Sequence, residues 1–173
     1  MLEPLVPAHA PHLFPCLNDD RLYRYHTGLP SSVEELERRF TSWAARKSPD
    51  GSQTWLNYAL RRDDRTYVGW VQATIVDKEA TIGYDIFVPF WRQGFAKEAC
   101  SELIRALFDE HAVTRIHAVV DAENAASIGL LENLGFTLAW TGPSEDMPGR
   151  IDRRYELSAQ RIVQEPRRRQ KHS

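Results

Sequence analysis

The sequence predicts a single α/β domain: a mixed, mostly antiparallel central sheet with one parallel strand pair, flanked by helices. Three observations carry this. Extended runs at 54–61, 66–76 and 79–88, rich in Trp, Tyr, Val and Ile, are joined by polar turns around Arg62-Asp63 and Asp77-Lys78, which reads as an antiparallel meander. The strand, helix, strand, helix order that follows calls for a crossover between parallel strands. With 173 residues, 42% of them hydrophobic, the chain can bury one core and little more.

Before the meander, residues 8–17 place Leu13 and Leu17 four apart, but Pro11 and Pro15 interrupt the face and predict a broken helix. A loop mixing charge and aromatics ends at Gly28 and Pro30. Ser32 stands three before Glu35, a capping box, and Val33, Leu36, Phe40 and Trp43 keep helical spacing, with Glu34/Arg38 and Glu35/Arg39 as outward pairs. Ser48-Pro49-Asp50-Gly51 stops that helix. After the meander, Ala96, Ala99, Leu103 and Leu107 trace a helical face. Residues 114–121 read as a strand, and 125–134 as a helix that Gly135 closes with a left-handed cap. Strands at 138–141 and 153–157 flank the polar turn 142–152. The apolar pattern fades past Ala159, so the domain is expected over 1–159 and a basic tail over 160–173.

The net charge of −2 averages unlike parts. From residue 161 on, Arg161, Arg167, Arg168, Arg169 and Lys171 face one acid, Glu165, a local +4 that leaves −6 for residues 1–160. The body thus offers no basic field for nucleic acid or an anionic membrane, and only the tail suits an RNA contact. Cys16 and Cys100 lack metal-ligand spacing, and no metal is expected. No apolar run nears the roughly 18 residues of a membrane span, and the N-terminus lacks the basic and apolar regions of a leader, which predicts a cytoplasmic protein. Walker, GxSxG, GxGxxG and HExxH patterns are absent.

Chemistry concentrates in two stretches. In the first, a strand runs into Trp91-Arg-Gln-Gly94-Phe-Ala96 and then a helix. The unpaired amides from Arg92 to Ala96 and the helix dipole make an anion site there, with Gly94 permitting close backbone approach. In the second, Asn124 stands at a strand end and Ser127 one turn into the next helix, an arrangement that N-capping also explains.

In this order, about 30 residues apart, the two stretches resemble the GNAT (Gcn5-related N-acetyltransferase) superfamily, with its R/Q-x-x-G-x-G/A loop and later N-x-x-S/A segment followed by L-G-F. The fuller string from Gly83 to Ala99 is similar to the branch that acetylates ribosomal-protein N-termini, in which Trp is common at the place of Trp91. Val88-Pro89 departs from that branch's Pro-Glu, and Met1-Leu-Glu-Pro-Leu is shorter than the usual first strand. The resemblance implies the acyl-CoA N-acyltransferase fold, with acetyl-CoA in a cleft between two splayed parallel strands. By that likeness the amides of Arg92, Gln93, Gly94, Phe95 and Ala96 hold the pyrophosphate. Main-chain groups of Ile86 and Val88 pair with the pantetheine, and Asn124 and Ser127 border its thiol end. An extended amide-bearing arm can bind as an added strand.

The implied reaction is direct acetyl transfer to a primary amine, of a protein N-terminus or a small molecule. A neutral α-amino group needs little help, whereas a lysine-like amine needs a base. The tyrosine that protonates the leaving thiolate in many members is replaced by Leu131. The ribosomal-protein branch suggests Ser127 instead, with an acidic residue for which Glu145 is the nearest match and Asp146 its neighbour. His117 occupies a place where that branch often has Glu. It reads either as a base or as a half-buried structural histidine. Trp43, Trp55 and Trp70 read as core, while Tyr23, Tyr25 and His26 lie where the superfamily shapes its acceptor site. Strand parity leaves open whether Asp85 faces cleft or helix. The rivals to a protein acetyltransferase are a polyamine, toxin or aminoglycoside acetyltransferase and a non-catalytic acyl-CoA-binding module. Homodimers are frequent in the superfamily, though no stretch marks an interface.

Overall fold

The computed structural model describes residues 1–25 and 27–159, so the acceptor reading of His26 and the basic tail 160–173 lie outside the described residues. Strands β1 (Leu2–Pro4), β2 (Thr54–Arg61), β3 (Tyr67–Val76), β4 (Glu79–Ile86), β5 (Arg115–Asp121), β6 (Thr137–Pro143) and β7 (Ile151–Ser158) form one sheet in the order β1-β2-β3-β4-β5-β7-β6. Among these neighbours β4 and β5 alone are parallel, as the crossover order requires, and the rest are antiparallel.

Alternation along the strands feeds two cores. On one face Val71, Ala73, Ala80 and Ile82 pack with Ala99, Leu103 and Leu107 of α3 (Phe95–Asp109) and Leu131 of α4 (Ala125–Asn133). On the other, Trp70 and Phe87 pack with Leu13 and Leu17 of α1 (Ala10–Leu17) and Leu36 and Phe40 of α2 (Val33–Ala44). Pro11 and Pro15 do not break α1. A 3₁₀ turn at Pro7–His9 leads into it, Pro11 occupies its first turn, and Pro15 is accepted inside this short element. Ser32 Oγ caps α2 by accepting from the Glu35 amide at 3.2 Å. The expected reciprocal bond goes one residue further out, since the Glu35 carboxylate accepts from the amide and hydroxyl of Ser31 at 2.7 and 2.6 Å and also pairs with Arg39.

The functional geometry originates between β4 and β5. Their register runs Glu79↔Arg115, Ala80↔Ile116 and Thr81↔His117 and then stops, although β4 continues to Ile86 and β5 to Asp121. The strands splay and leave a wedge. Unlike its neighbour, β3 holds β4 along its whole length, from Val76↔Glu79 to Gly69↔Ile86, so the opening is confined to the β5 side.

Beyond Ile86 the extended run turns two residues sooner than expected. Phe87 caps a 3₁₀ turn at Val88–Phe90, where Pro89 has no N–H to offer a ladder. The Phe87 amide still donates to Val68 O at 2.8 Å, and Trp91 Nε1 reaches back to Ile86 O at 2.6 Å. The closing turn is also tighter than expected, because β6 runs on to Pro143 and Ser144 N already bonds Arg150 O at 2.9 Å.

Gly69 is where β3 presses closest to β4. A Cβ there would lie 2.0 Å from Asp85 O and 2.9 Å from Ile86 Cα, and backbone cannot yield as a side chain can. Gly69→Ala is expected to destabilise the fold by about 2 kcal/mol or more, on the scale of overpacked sites. Urea denaturation measures this, and a midpoint unchanged from wild type contradicts the close approach.

Candidate functional site

The wedge opens into a cavity of about 420 Å³. Ile82, Gly83, Tyr84 and Asp85 of β4 form one wall and Ala118 to Asp121 of β5 the other, with Asn124, Ser127 and Leu131 of α4 at one end. At the opposite end are Tyr23, Tyr25, Trp43 and Trp70, roofed by Ser144, Asp146 and Met147 of the β6–β7 turn. Asp85 therefore faces the cavity, paired in register with Trp70. Trp70 and Trp43 serve both core and cavity, while Trp55 is half-buried with its indole N–H on Gln53 at 2.8 Å.

Beyond the splayed end of β4, Arg92 and Gly94 adopt positive φ, 59° and 89°, and turn the chain into α3. The first helical bond in this turn is Glu98 N to Gly94 O at 3.1 Å, so the preceding amides lack helical acceptors. An added Cβ at Gly94 would meet nothing within 4 Å, so the space over the turn is open. Gln93 Nε2 donates to Pro89 O at 2.9 Å, and Phe95 stacks edge-on against Phe90, which fixes the turn from both sides. Arg92, Gln93, Gly94, Phe95 and Ala96 are thus contiguous around an accessible set of N–H groups at a helix start, a geometry that fits a diphosphate.

Asn124 caps α4, its Oδ1 accepting from Ser127 N at 3.1 Å. Both residues also line the cavity, so the capping bond leaves room for a ligand contact. The carbonyls of Ile86 and Val88 both have partners within the chain. Ile86 O receives the Trp91 indole N–H, and Val88 O receives the Trp91 amide at 3.2 Å within the 3₁₀ turn.

The three expected catalytic residues are not brought together. Ser127 borders the cavity. His117 belongs to the last paired rung of β4 and β5 and is not among the cavity-lining residues. Its Nε2 lies 2.9 Å from Glu79 and its Nδ1 3.4 Å from Glu156, and the His117 hydrogen bond holds the Glu79 carboxyl below its usual range. Glu145 and Asp146 are both exposed in the turn, and of the two only Asp146 lines the cavity.

Two features escaped the sequence reading. Arg150 donates from Nε to Asp121 at 2.6 Å, approaches Glu123 at 3.4 Å and lies 5.7 Å over the Tyr25 ring, so it ties the roof to β5 and to the aromatic loop. That bond to Arg150 holds Asp121, which is buried, below the usual carboxylate range. The second is Tyr84, whose hydroxyl is buried without a hydrogen-bond partner among the described residues. Its parity with Ile82 and Ile86 was the available signal. Burial, with Asp85 adding, pushes the Tyr23 phenol up to about 12, so it remains protonated.

A splayed parallel pair with an amide-lined turn at the following helix is the architecture of an acyl-CoA N-acyltransferase. Residues 1–137 match the acetyltransferase (GNAT) domain, and the chain belongs to that family of acetyl-CoA-dependent acetyltransferases. An uncharacterized N-acetyltransferase of Bacillus subtilis (strain 168), YoaA, is 30% identical over 141 residues, 79% of this chain and 78% of that one. Spermidine N-acetyltransferase from Vibrio cholerae, solved with CoA and spermine, shares the fold with a TM-score of 0.80 at 16% identity, over 94% of this chain and 97% of that one. RimL, a ribosomal L7/L12 alpha-N-protein acetyltransferase solved with coenzyme A, does so with a TM-score of 0.79 at 16% identity, over 91% and 92%. No helix among the described residues is long and apolar enough to cross a membrane.

Gly94→Glu is expected to abolish acetyl-CoA binding in calorimetry, because the new carboxylate enters the space over the amides. Gly94→Ala, which carries only the left-handed backbone penalty of about 1 kcal/mol, should keep most of it. Unchanged affinity in Gly94→Glu rules out the turn as the pyrophosphate site. His117→Gln is expected to leave the pH dependence of kcat unmoved, and loss of a limb near the imidazole pKa would return His117 to the reaction.

Proposed function

We propose that residues 1–159 form one catalytic domain that passes acetyl from acetyl-CoA directly to a primary amine in a ternary complex. One observation carries this: a single cavity passes through the splay, with Ser127 and Leu131 at its α3/α4 end and Tyr23, Trp70 and Asp85 at its α1/α2 end. Donor and acceptor can therefore meet head-on, with the sheet supplying the wall. In this reading the amides from Arg92 to Ala96 hold the pyrophosphate. The unpaired edge of β4 past Thr81 takes the pantetheine, with Ile86 and Val88 beside it. The NH₂ group of Asn124, whose oxygen is used in capping, turns to a pantetheine carbonyl.

The acceptor end combines the carboxylates of Asp85, Asp146 and Asp152 with the rings of Tyr23, Tyr25 and Trp43. Such a lining favours a cationic acceptor with apolar stem, and aromatic faces add cation attraction. A peptide α-amino group fits first, since its pKa near 8 leaves a usable neutral fraction at pH 7 without a strong base. A polyamine is the second reading, favoured by the same three carboxylates and by the fold shared with the spermidine N-acetyltransferase.

Thiol release from acetyl-CoA, measured with spermine and with peptides beginning Ser or Ala, tests the assignment. Acceleration by peptides alone, with kcat/KM rising tenfold per pH unit up to about pH 8, is the expected result. Acceleration by spermine alone moves the polyamine reading ahead. Tight acetyl-CoA binding without acceleration by any amine leaves a non-catalytic acyl-CoA-binding module.

A further inference from the structure

Resting on that transfer reading, we propose that the Tyr84 hydroxyl is the proton donor to the departing CoA thiolate. Tyr84 stands midway along the splayed part of β4, three residues past the last rung shared with β5. It follows Ile82 and precedes Ile86 on the face covered by α3 and α4, and its ring packs against their core. Its hydroxyl is fully enclosed yet has no hydrogen-bond partner among the described residues. An orphaned buried hydroxyl is destabilising, a cost that a bound partner removes.

Tyr84 also lines the cavity, which brings its ring beside a place where such a partner can sit. Tyr84, Ser127 and Leu131 line the same end of it, with Tyr84 approaching from the strand and the other two from α4. Leu131 is fully buried and has no proton to give, so α4 presents an aliphatic side chain where the thiol end of the arm is expected. Ser127 lies near enough to pull the Tyr84 pKa down, but it forms no hydrogen bond of normal geometry with it. Burial outweighs that effect and pushes the phenol up to about 12, with Cys100 and Asp85 adding to the rise. The group is therefore a neutral donor at pH 7. The Cys100 thiol, also pushed up to about 12 by burial, is not among the cavity-lining residues.

In the step assigned here the amine lone pair attacks the thioester carbonyl carbon and the C–N bond forms. As the C–S bond breaks, its electron pair goes to sulfur, which takes the phenolic proton. The nitrogen gives its extra proton to water, and the phenolate is reprotonated from solvent. The sum is amine plus acetyl-CoA giving amide plus free thiol. Tyr84 acts on the leaving group and not on the amine, so its loss affects turnover more than binding of acetyl-CoA.

The test is Tyr84→Phe in the full chain, which keeps the ring and removes one oxygen. With the spermine or Ser-peptide acceptor that wild type uses, kcat is expected to fall about 100-fold, with the acetyl-CoA KM within threefold. The melting temperature should stay level or rise, because an unsatisfied hydroxyl is lost. Calorimetry with CoA and desulfo-CoA needs no acceptor. Wild type should prefer CoA about fivefold and the variant should show no preference, the scale of one hydrogen bond. A variant that turns over at the wild-type rate, or that still prefers CoA, overturns the assignment. A wild type inert with both amines overturns the transfer reading instead, and the CoA preference then decides whether Tyr84 meets the sulfur.

Discussion

Everything functional here depends on a hydrogen-bond ladder that is abandoned after three rungs. Between Glu79 and Thr81, β4 pairs with β5, and beyond Thr81 the two strands part. Breaking a ladder inside a sheet exposes backbone donors and acceptors that must find other partners. In the reading proposed above an extended amide chain is such a partner, and its binding would recover the cost carried by the empty protein. The wedge also places reacting groups in the plane of the sheet, where both layers of helices can address them. α3 and α4 approach from one side, and α1 and α2 from the other.

That opening is useful only if β4 does not follow β5 or collapse back onto it. β3 prevents this through a continuous register from Val76 to Gly69, with Gly69 so close to Asp85 that no side chain fits between them. The far end is held by Trp91, whose indole bonds Ile86 O while its amide bonds Val88 O. One residue thus closes the turn that delivers the chain to the amide-lined start of α3. On the β5 side, Arg150 performs the matching task by joining Asp121, Glu123 and the ring of Tyr25.

The meander, the crossover and the helix caps were legible because each rests on local chemistry: alternation at 54–86, Ser32 and Asn124 as caps, and Gly94 and Gly135 at positive φ. The tight backbone turn that leads into α3 was legible for the same reason. What stayed hidden depends on distance across the sheet. Trp91 stood out as a departure from a pattern, but its bond to Ile86 requires the turn to fold first. His117 looked available for proton transfer, yet only the β4–β5 and β5–β7 registers bring Glu79 and Glu156 to its two nitrogens. Glu145 and Asp146 are adjacent in sequence, and the tight Ser144–Arg150 turn alone decides which of them faces the cavity. Tyr84 could be placed on a face by parity, but its lack of a partner is a property of the packed core.

The charge pattern follows from the same geometry. A net −6 over residues 1–160 gives no long-range attraction for a polyanionic cosubstrate, but backbone amides and a helix dipole can bind phosphate without any basic side chain. In the proposed reading attraction for the anion is local to the start of α3, while the carboxylates of Asp85, Asp146 and Asp152 line the cavity toward its other end. On that reading a cationic amine and the anionic donor approach from different ends of one passage, and neither competes for the other's place. The charges need only sort the two reactants, since the chemistry at the meeting point involves a neutral amine and a neutral thioester. Between the two ends the wall carries Gly83, Ala118 and Val120 with the hydroxyl-bearing Tyr84 and Ser127, and the Asp121 carboxylate there is paired with Arg150. There a developing thiolate meets little competing charge and is stabilised chiefly by whatever proton the wall can give it.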